Sequence, residues 1–255
     1  MVPALDMVNH MRQATAYYQE DDQNGVTLRI RPNCRVPAGE EVTISYGEAK
    51  PPAEMLFSYG FIDGDTTVRE LTLQLESLED DPLGRAKLHI FKGSPTVKLT
   101  MKEDRCSWES PFAFLMCLNE EDGLDFRLLQ DHAGERELRL FWQGDDVTDC
   151  TDDFEALVRD HERRKVFLLR IATVLHERVK AQLQKINNGP SQDELEPLIE
   201  SDILRRGCVE TASILKRVEG ETLAAAVVAL DAQVCCHLAL WLAEQRFIAF
   251  SLDIR

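Results

Sequence analysis

The sequence has no excess of positive charge, and this absence narrows the classes of partner. Its 255 residues contain 29 Lys and Arg against 45 Asp and Glu, which gives a formal net charge of −16 and a pI near 4.8. A chain this acidic repels phosphate backbones and anionic lipid. We therefore expect no nucleic acid and no membrane as direct partners, and we consider a basic protein segment as the partner instead. Acidity that only keeps the protein soluble explains the composition equally well.

The sequence also has no cysteine pair at metal-ligand spacing. Seven cysteines are scattered along it, the number is odd, and C-x-x-C does not occur. We therefore expect reduced thiols in an intracellular compartment, cytoplasmic or nuclear. The adjacent Cys235, Cys236 and His237 lie in an apolar helical run, where neighbours point about 100° apart and rarely share a metal. We expect these side chains to be buried and no metal to bind.

Long uninterrupted apolar runs are scarce as well. The opening residues do not show the basic region followed by an apolar run that marks a secretory signal. The longest apolar stretch, residues 223–242, is interrupted by Asp231, Gln233 and His237, and a membrane span needs roughly 20 residues. We expect no span here, and we expect this stretch to form a helix buried at the centre of its domain.

The first 64 residues have the pattern of short strands and turns. Val26–Ile30 and residues 42–46 carry apolar side chains at every second position, which predicts two strands. A short helix is predicted over residues 53–58, with Gly60 suited to cap its carboxyl end. The Asp-Gly-Asp turn at residues 63–65 marks the predicted domain boundary.

Residues 65–255 read as mostly α-helical with a few strands, so the predicted class is α+β. Alternation predicts strands near residues 70–78 and 97–101, whereas the leucines of residues 124–129 favour a short helix. Apolar residues at steps of three or four up to Ile186 predict one long amphipathic helix that begins near Phe154.

The Asn-Asn-Gly-Pro sequence at residues 187–190 predicts the end of that long helix. Ser191 is suited to cap the next helix, which contains Pro197 and could kink there. Two further helices are expected over residues 203–215 and 223–242. The predicted architecture is a small β-rich portion followed by a mostly helical domain.

Three short motifs follow one another in the first 64 residues. They read D-M-V-N-H at residues 6–10, E-E-V-T-I-S-Y-G at residues 40–47 and A-E-M-L-F-S-Y-G-F at residues 53–61. Tyr59 in the third motif follows Tyr46 in the second by thirteen positions. One such motif alone is a weak signal, but three in this order form a strong one.

This order and spacing resemble the C-terminal half of a SET domain, in the branch with a Rubisco-methyltransferase-like substrate-binding domain. Members of that branch methylate lysines on non-histone proteins and, in one subgroup, a histidine. The resemblance implies that residues 1–64 are the C-terminal part of a SET domain and residues 65–255 the α-helical substrate-binding domain. The second region is matched more weakly, through helix order and pieces such as L-R-R-G at residues 204–207.

The resemblance assigns roles to four residues. Asn9 and His10 would hold the methyl donor, S-adenosylmethionine, through backbone and side-chain hydrogen bonds. Tyr46 would be the catalytic tyrosine that orients the incoming amine; since a phenol has a pKa near about 10, it is not expected to act as a base. Tyr59 would line the substrate channel, and Phe61 would only pack. Taken without the motifs, these residues read as an Asn-containing turn and core aromatics.

Two functions of different classes are compatible with these motifs. In the family, a glycine-rich G-x-G turn and much of the donor pocket precede the first motif, so we expect this sequence to be N-terminally incomplete as a SET domain. One hypothesis is an S-adenosylmethionine-dependent protein-lysine N-methyltransferase that acts on a non-histone protein. The alternative is a non-catalytic SET remnant whose helical domain serves as a protein-binding module.

Overall fold

The computed structural model describes residues 5–22, 25–47, 49–63, 67–103, 105–130 and 134–252, with side chains described as far as residue 243. The chain divides into two compact units, residues 1–68 and 69–255. The assignment of residues 1–64 to a SET domain and of residues 65–255 to a substrate-binding domain stays a prediction.

The described part of the first unit contains a short 3-10 helix at Leu5–Met7, a two-stranded antiparallel sheet and one α-helix. Strands β1 (Ala16–Glu20) and β2 (Val26–Ile30) pair along their whole length, and helix α1 spans Pro52–Tyr59. Gly60 follows α1 at φ 85°, where its N–H donates to a carbonyl of the last turn. Glycine adopts this left-handed conformation without steric cost, so the predicted cap is confirmed.

Residues 42–46 do not form the predicted strand. A single parallel bridge pairs His10 with Ile44, because the Ile44 N–H donates to the Asn9 carbonyl at 3.0 Å. The neighbouring Thr43 carbonyl instead accepts from the Ala16 N–H at 2.9 Å. The backbone groups of this segment are thus divided between two partners, and no continuous ladder results. The bridge nevertheless places the first two motifs side by side.

The second unit begins with two three-stranded antiparallel sheets. The first has the order β3-β4-β5 and the second β6-β7-β8. Along the chain, helix α2 lies between β3 and β4, and helix α3 lies between the two sheets. The bounds are β3 (Glu70–Gln74), α2 (Gly84–Ile90), β4 (Thr96–Lys102), β5 (Arg105–Glu109), α3 (Ala113–Cys117), β6 (Leu124–Gln130), β7 (Arg136–Trp142) and β8 (Asp145–Asp146).

The predicted helix at residues 124–129 is wrong, because these residues form the edge strand β6. Leu124 pairs with Trp142 and is buried, whereas Leu128 and Leu129 are 60% and 46% exposed. Three leucines that would share a helix face therefore lie along a strand whose far end leaves the core. The predicted strands near 70–78 and 97–101 correspond to β3 and β4.

Four helices complete the second unit: α4 (Phe154–Leu157), α5 (Arg164–Asn187), α6 (Gln192–Glu200) and α7 (Arg206–Leu252). The long helix predicted from Phe154 is interrupted between α4 and α5. Within this break the His161 Nδ1 accepts the Arg163 N–H at 3.0 Å, so a side chain replaces the helical carbonyl as hydrogen-bond partner. Ser191 caps α6 in a reciprocal capping box with Glu194, as its position predicted.

Helix α7 differs most from the sequence-based expectation. It is one continuous helix where two were predicted, and it packs mainly on α5. Residues 223–242 are not centrally buried throughout: Leu223 and Leu230 are fully buried, but Leu242 is 47% exposed. Cys235 and Cys236 are exposed rather than buried.

One part of α7, Arg206–Ala243, is long and apolar enough to cross a membrane by length and composition alone. In the most apolar stretch of this part, 17% of the residues are buried. The three polar residues within residues 223–242 therefore do not by themselves rule out a span, because a helix tolerates isolated polar residues within the length and composition of a span. That this chain has no membrane partner stays a prediction.

Candidate active site

Four rings from the three motifs lie together in the first unit. The ring centroids of Tyr46 and Tyr59 are 4.6 Å apart, those of His10 and Tyr46 are 5.2 Å apart, and those of His10 and Phe61 are 5.5 Å apart. All three pairs are tilted, within the range of favourable aromatic contacts. Residues far apart in sequence thus form one aromatic cluster, made of His10, Tyr46, Tyr59 and Phe61.

Both ring nitrogens of His10 are engaged within the chain. The Tyr46 backbone N–H donates to Nδ1 at 3.0 Å, and Nε2 lies 2.9 Å from Oδ2 of Asp63. Because Nδ1 accepts, the proton lies on Nε2, which donates to the carboxylate. The His10 side chain is only 3% exposed. Any ligand contact made by this imidazole would have to replace one of these two bonds.

The main chain of His10 is oriented differently. In the parallel bridge to Ile44, the bonded groups belong to the residues on either side, namely the Asn9 carbonyl and the Met11 N–H. The N–H and C=O of His10 itself therefore point to the opposite side of the segment. These two adjacent groups, one donor and one acceptor, are suited to pair with a planar polar ligand.

Asp63 was not identified by the sequence analysis, which read it only as part of a turn. It lies two residues after Phe61, the end of the third motif, and 53 positions after His10. Its side chain is 28% exposed and accepts from an almost fully buried imidazole. The signal in the sequence for this contact was an acidic residue two positions after the third motif. Its partner, His10, could not be predicted from local spacing.

The Tyr46 hydroxyl donates to the Val8 carbonyl at 2.8 Å. This bond uses its only proton, so further partners must donate to the phenol oxygen. Tyr59 is 40% exposed, and the ammonium group of Lys50 lies 5.1 Å from its ring centroid. The Glu54 carboxylate and then the Tyr59 hydroxyl raise the pKa of Lys50, so this ammonium remains charged beside the ring.

Asn9 lies outside the aromatic cluster. Its side chain is exposed and its amide donates to the Glu41 carboxylate, while its carbonyl accepts from Ile44. The structure therefore brings together three of the four predicted site residues, His10, Tyr46 and Tyr59. Asn9 adjoins them through the backbone only.

Two cavities of different size lie in the first unit. One, of about 20 Å³, adjoins His10 and Asp63 and has room for a single water molecule. The other is an open cleft of about 660 Å³ lined by Leu5, Asp6, Tyr18, Gln19, Glu20 and Val26, which lies in the size range of cofactor sites. Across the described ranges, no three His, Cys, Asp or Glu side chains are grouped so as to hold a metal.

Comparison with curated proteins gives three relatives, although no family model matches the chain. SET domain-containing protein 8 of Schizosaccharomyces pombe is 26% identical over 187 residues, which cover 72% of this chain and 42% of the relative. The chain is thus similar to a SET-domain protein over most of its length. The Rubisco large subunit N-methyltransferase of Pisum sativum is 31% identical over 102 residues, 37% of this chain and 21% of the relative.

Solved structures support the same fold for this SET-related chain. The structure of Rubisco LSMT bound to AdoMet superposes with a TM-score of 0.58 at 19% identity, covering 93% of this chain and 51% of that chain. The SET-domain structure of LSMT bound to MeLysine and AdoHcy gives 0.54 at 20% identity, covering 93% and 50%. The predicted α+β class is confirmed. The chain spans about half the length of these solved chains and less than half of the two curated relatives.

Proposed function

We propose that this chain is the C-terminal part of a SET-type protein-lysine N-methyltransferase that uses S-adenosylmethionine and acts on a non-histone protein. The aromatic cluster is the main support, because it joins His10, Tyr46 and Tyr59 from three separate motifs. The rest of the SET domain would correspond to the portion of the relatives' sequences that this chain does not match. Two relatives are named for non-histone substrates, the Rubisco large subunit in pea and fructose-bisphosphate aldolase in Arabidopsis thaliana.

The residues present fit part of the methyl donor. The main-chain N–H and C=O of His10 point away from the bridge and can pair with the polar edge of a planar base. The Asn9–His10 segment would hold the donor in this way. When bound, S-adenosylmethionine would supply a methyl group on a sulfonium sulfur; a neutral amine can attack the methyl carbon as the C–S bond breaks and the neutral thioether leaves, without a metal.

Tyr46 would orient that amine. Because its hydroxyl proton is donated to the Val8 carbonyl, its oxygen presents lone pairs to the remaining space. An amine N–H can donate to this oxygen, which fixes the direction of the amine lone pair. Positioning of this kind contributes strongly to a displacement between two bound groups. Tyr59 would form the exposed wall of the same channel.

The test uses this chain fused in frame to an upstream SET half. Transfer of a tritiated methyl group to a lysine-containing basic protein should be observed, and Tyr46→Phe should reduce kcat and kcat/KM together while donor affinity stays nearly unchanged. Phe61→Leu is the matched control, since it changes a ring of the same cluster that only packs. Full activity of Tyr46→Phe would show that the role assigned to its hydroxyl is wrong.

A non-catalytic SET remnant that binds a protein partner is the second candidate. It is favoured by the engagement of both His10 ring nitrogens and by the water-sized cavity beside them. Isothermal titration of the 255-residue chain with S-adenosylmethionine separates the two candidates. We expect weak or no binding by this chain alone; a Kd in the low micromolar range, about −8 kcal/mol, would show that the residues present suffice.

A further inference from the structure

A groove in the second unit combines an apolar floor with a negatively charged rim. Its volume is about 810 Å³, within the range of ligand sites. Trp108, Pro111, Phe114 and Leu168 supply the apolar part of its lining. Strand β5, helices α3 to α5 and helix α7 all contribute side chains to it, so the groove belongs to the core arrangement of this unit rather than to one loop.

Among the side chains described as far as residue 243, the charged ones that line the groove are all acidic: Glu109, Asp152, Asp153 and Glu155. Glu155 is paired with Arg164 at 3.2 Å, and Asp153 caps α4. For Glu109 and Asp152, both exposed, no ion pair is present in the described part of the chain. Each has a lysine at longer range, Lys98 for Glu109 and Lys92 for Asp152. Both lysines form their direct ion pairs with other carboxylates, at 2.8 Å. Two carboxylates without a direct ion pair beside an apolar floor favour a ligand with a positive charge and an apolar stem.

The indole of Trp108 is fixed as one wall of this groove. Its Nε1–H donates to Oε1 of Gln233 at 2.9 Å, a bond that joins β5 to α7 across 125 residues of sequence. With its hydrogen-bond donor satisfied, the ring offers only its π faces to a ligand. A tryptophan face is the strongest aromatic partner for a cation.

His237 adds a polar side chain to the lining of the groove. Its Nδ1 is buried, lacks a hydrogen-bond partner among the described residues, and belongs to a side chain that lines the groove. A buried polar atom without a partner is costly, and a native structure usually satisfies it with protein, water or ligand. In the tautomer in which Nδ1 accepts, an N–H group of a ligand can pair with it.

We propose that this groove binds a basic peptide segment, with an arginine side chain stacked on Trp108 and its guanidinium group directed at Glu109 and Asp152. Arginine fits better than lysine because its planar head both stacks on aromatic rings and carries five N–H donors. This inference deepens the proposed function: it rests on that function only in taking the peptide to be part of the methylated protein.

Fluorescence anisotropy with fluorescein-labelled hexa-arginine and the full 255-residue chain tests the proposal. We expect saturable binding at about 150 mM salt, where the Debye length of about 8 Å screens distant charges, and no binding of labelled hexa-glutamate. The double variant Glu109→Gln/Asp152→Asn should weaken binding about fivefold, the effect of two partly exposed ion pairs. Trp108→Leu should weaken it about threefold.

The matched control is Glu79→Gln/Asp80→Asn, which removes the same charge from two exposed residues outside the groove. Its Kd should stay within about twofold of the unmodified chain. Equal weakening by both double variants would overturn the proposal, since it would show general attraction to a chain of net charge −16. Absence of hexa-arginine binding would overturn it as well. The probe contains no lysine and no methyl donor, so this result is independent of methyl transfer.

Discussion

Replacement of Asp63 by alanine should loosen the aromatic cluster, because it removes the acceptor for the His10 Nε2–H. The imidazole is 3% exposed, so water cannot easily take the place of the carboxylate. Leaving a buried donor without a partner costs about 1–3 kcal/mol of stability. Because Asp63 is 28% exposed, we expect a loss in the lower part of this range, about 1–2 kcal/mol. Such a loss changes a folding equilibrium by a factor of about 5–30.

Native-state hydrogen exchange of the Tyr46 amide measures this loss directly, because that N–H donates to Nδ1 of the same imidazole. Its protection should fall about 5- to 30-fold in Asp63→Ala. Asp63→Asn should retain most of it, since the amide oxygen can still accept from Nε2. In Glu41→Ala, which removes the exposed partner of the Asn9 side chain, protection should change little. Unchanged protection in Asp63→Ala, or an equal fall in Glu41→Ala, would refute the reasoning.

Two further predictions concern the second unit. Lys87→Met should destabilise it by about 3–5 kcal/mol, because the Asp81 carboxylate, 9% exposed and 2.6 Å from Nζ, loses its partner. Urea unfolding followed by tryptophan fluorescence measures this, and a loss below about 1 kcal/mol would contradict it. Burial raises the pKa of Cys117 from 9.0 to about 12, so its contribution to stability is complete below pH 9 and is lost as pH rises from 9 to 12. Unfolding measured from pH 8 to 11 should show a decline that is smaller in Cys117→Ala, and an identical decline in both proteins would contradict the assignment.

The features that the sequence predicted well are those governed by neighbouring residues. Gly60 follows a short apolar helix and Ser191 precedes a Glu three positions later, and both act as caps in the structure. Val26–Ile30 is a strand, as its alternation indicated. In each case the hydrogen bonds or the alternation of side chains that determine the local structure involve residues only a few positions apart in the sequence.

The features that the sequence did not predict depend on distant partners. Residues 42–46 alternate like a strand, but their backbone bonds are divided between two other segments, so only a bridge forms. The leucines of residues 124–129 pair with β7 instead of forming a helix face. Within the site, the motifs placed His10 and Tyr46 correctly in one cluster, whereas the contact with Asp63 across 53 residues exists only in three dimensions.

The unequal lengths of α5 and α7 have a consequence for how apolar residues are distributed. At about 1.5 Å per residue, the 24 residues of α5 span about 36 Å and the 47 residues of α7 about 70 Å. Helix α5 can therefore accompany α7 for only about half of its axis. Burial accordingly varies along the axis of α7: Leu223 and Leu230, near its middle, have 0% exposure, whereas Leu240 and Leu242, further along, are 45% and 47% exposed. The periodicity of apolar residues indicates which side of a helix is buried, but it does not indicate where along the axis the packing partner ends.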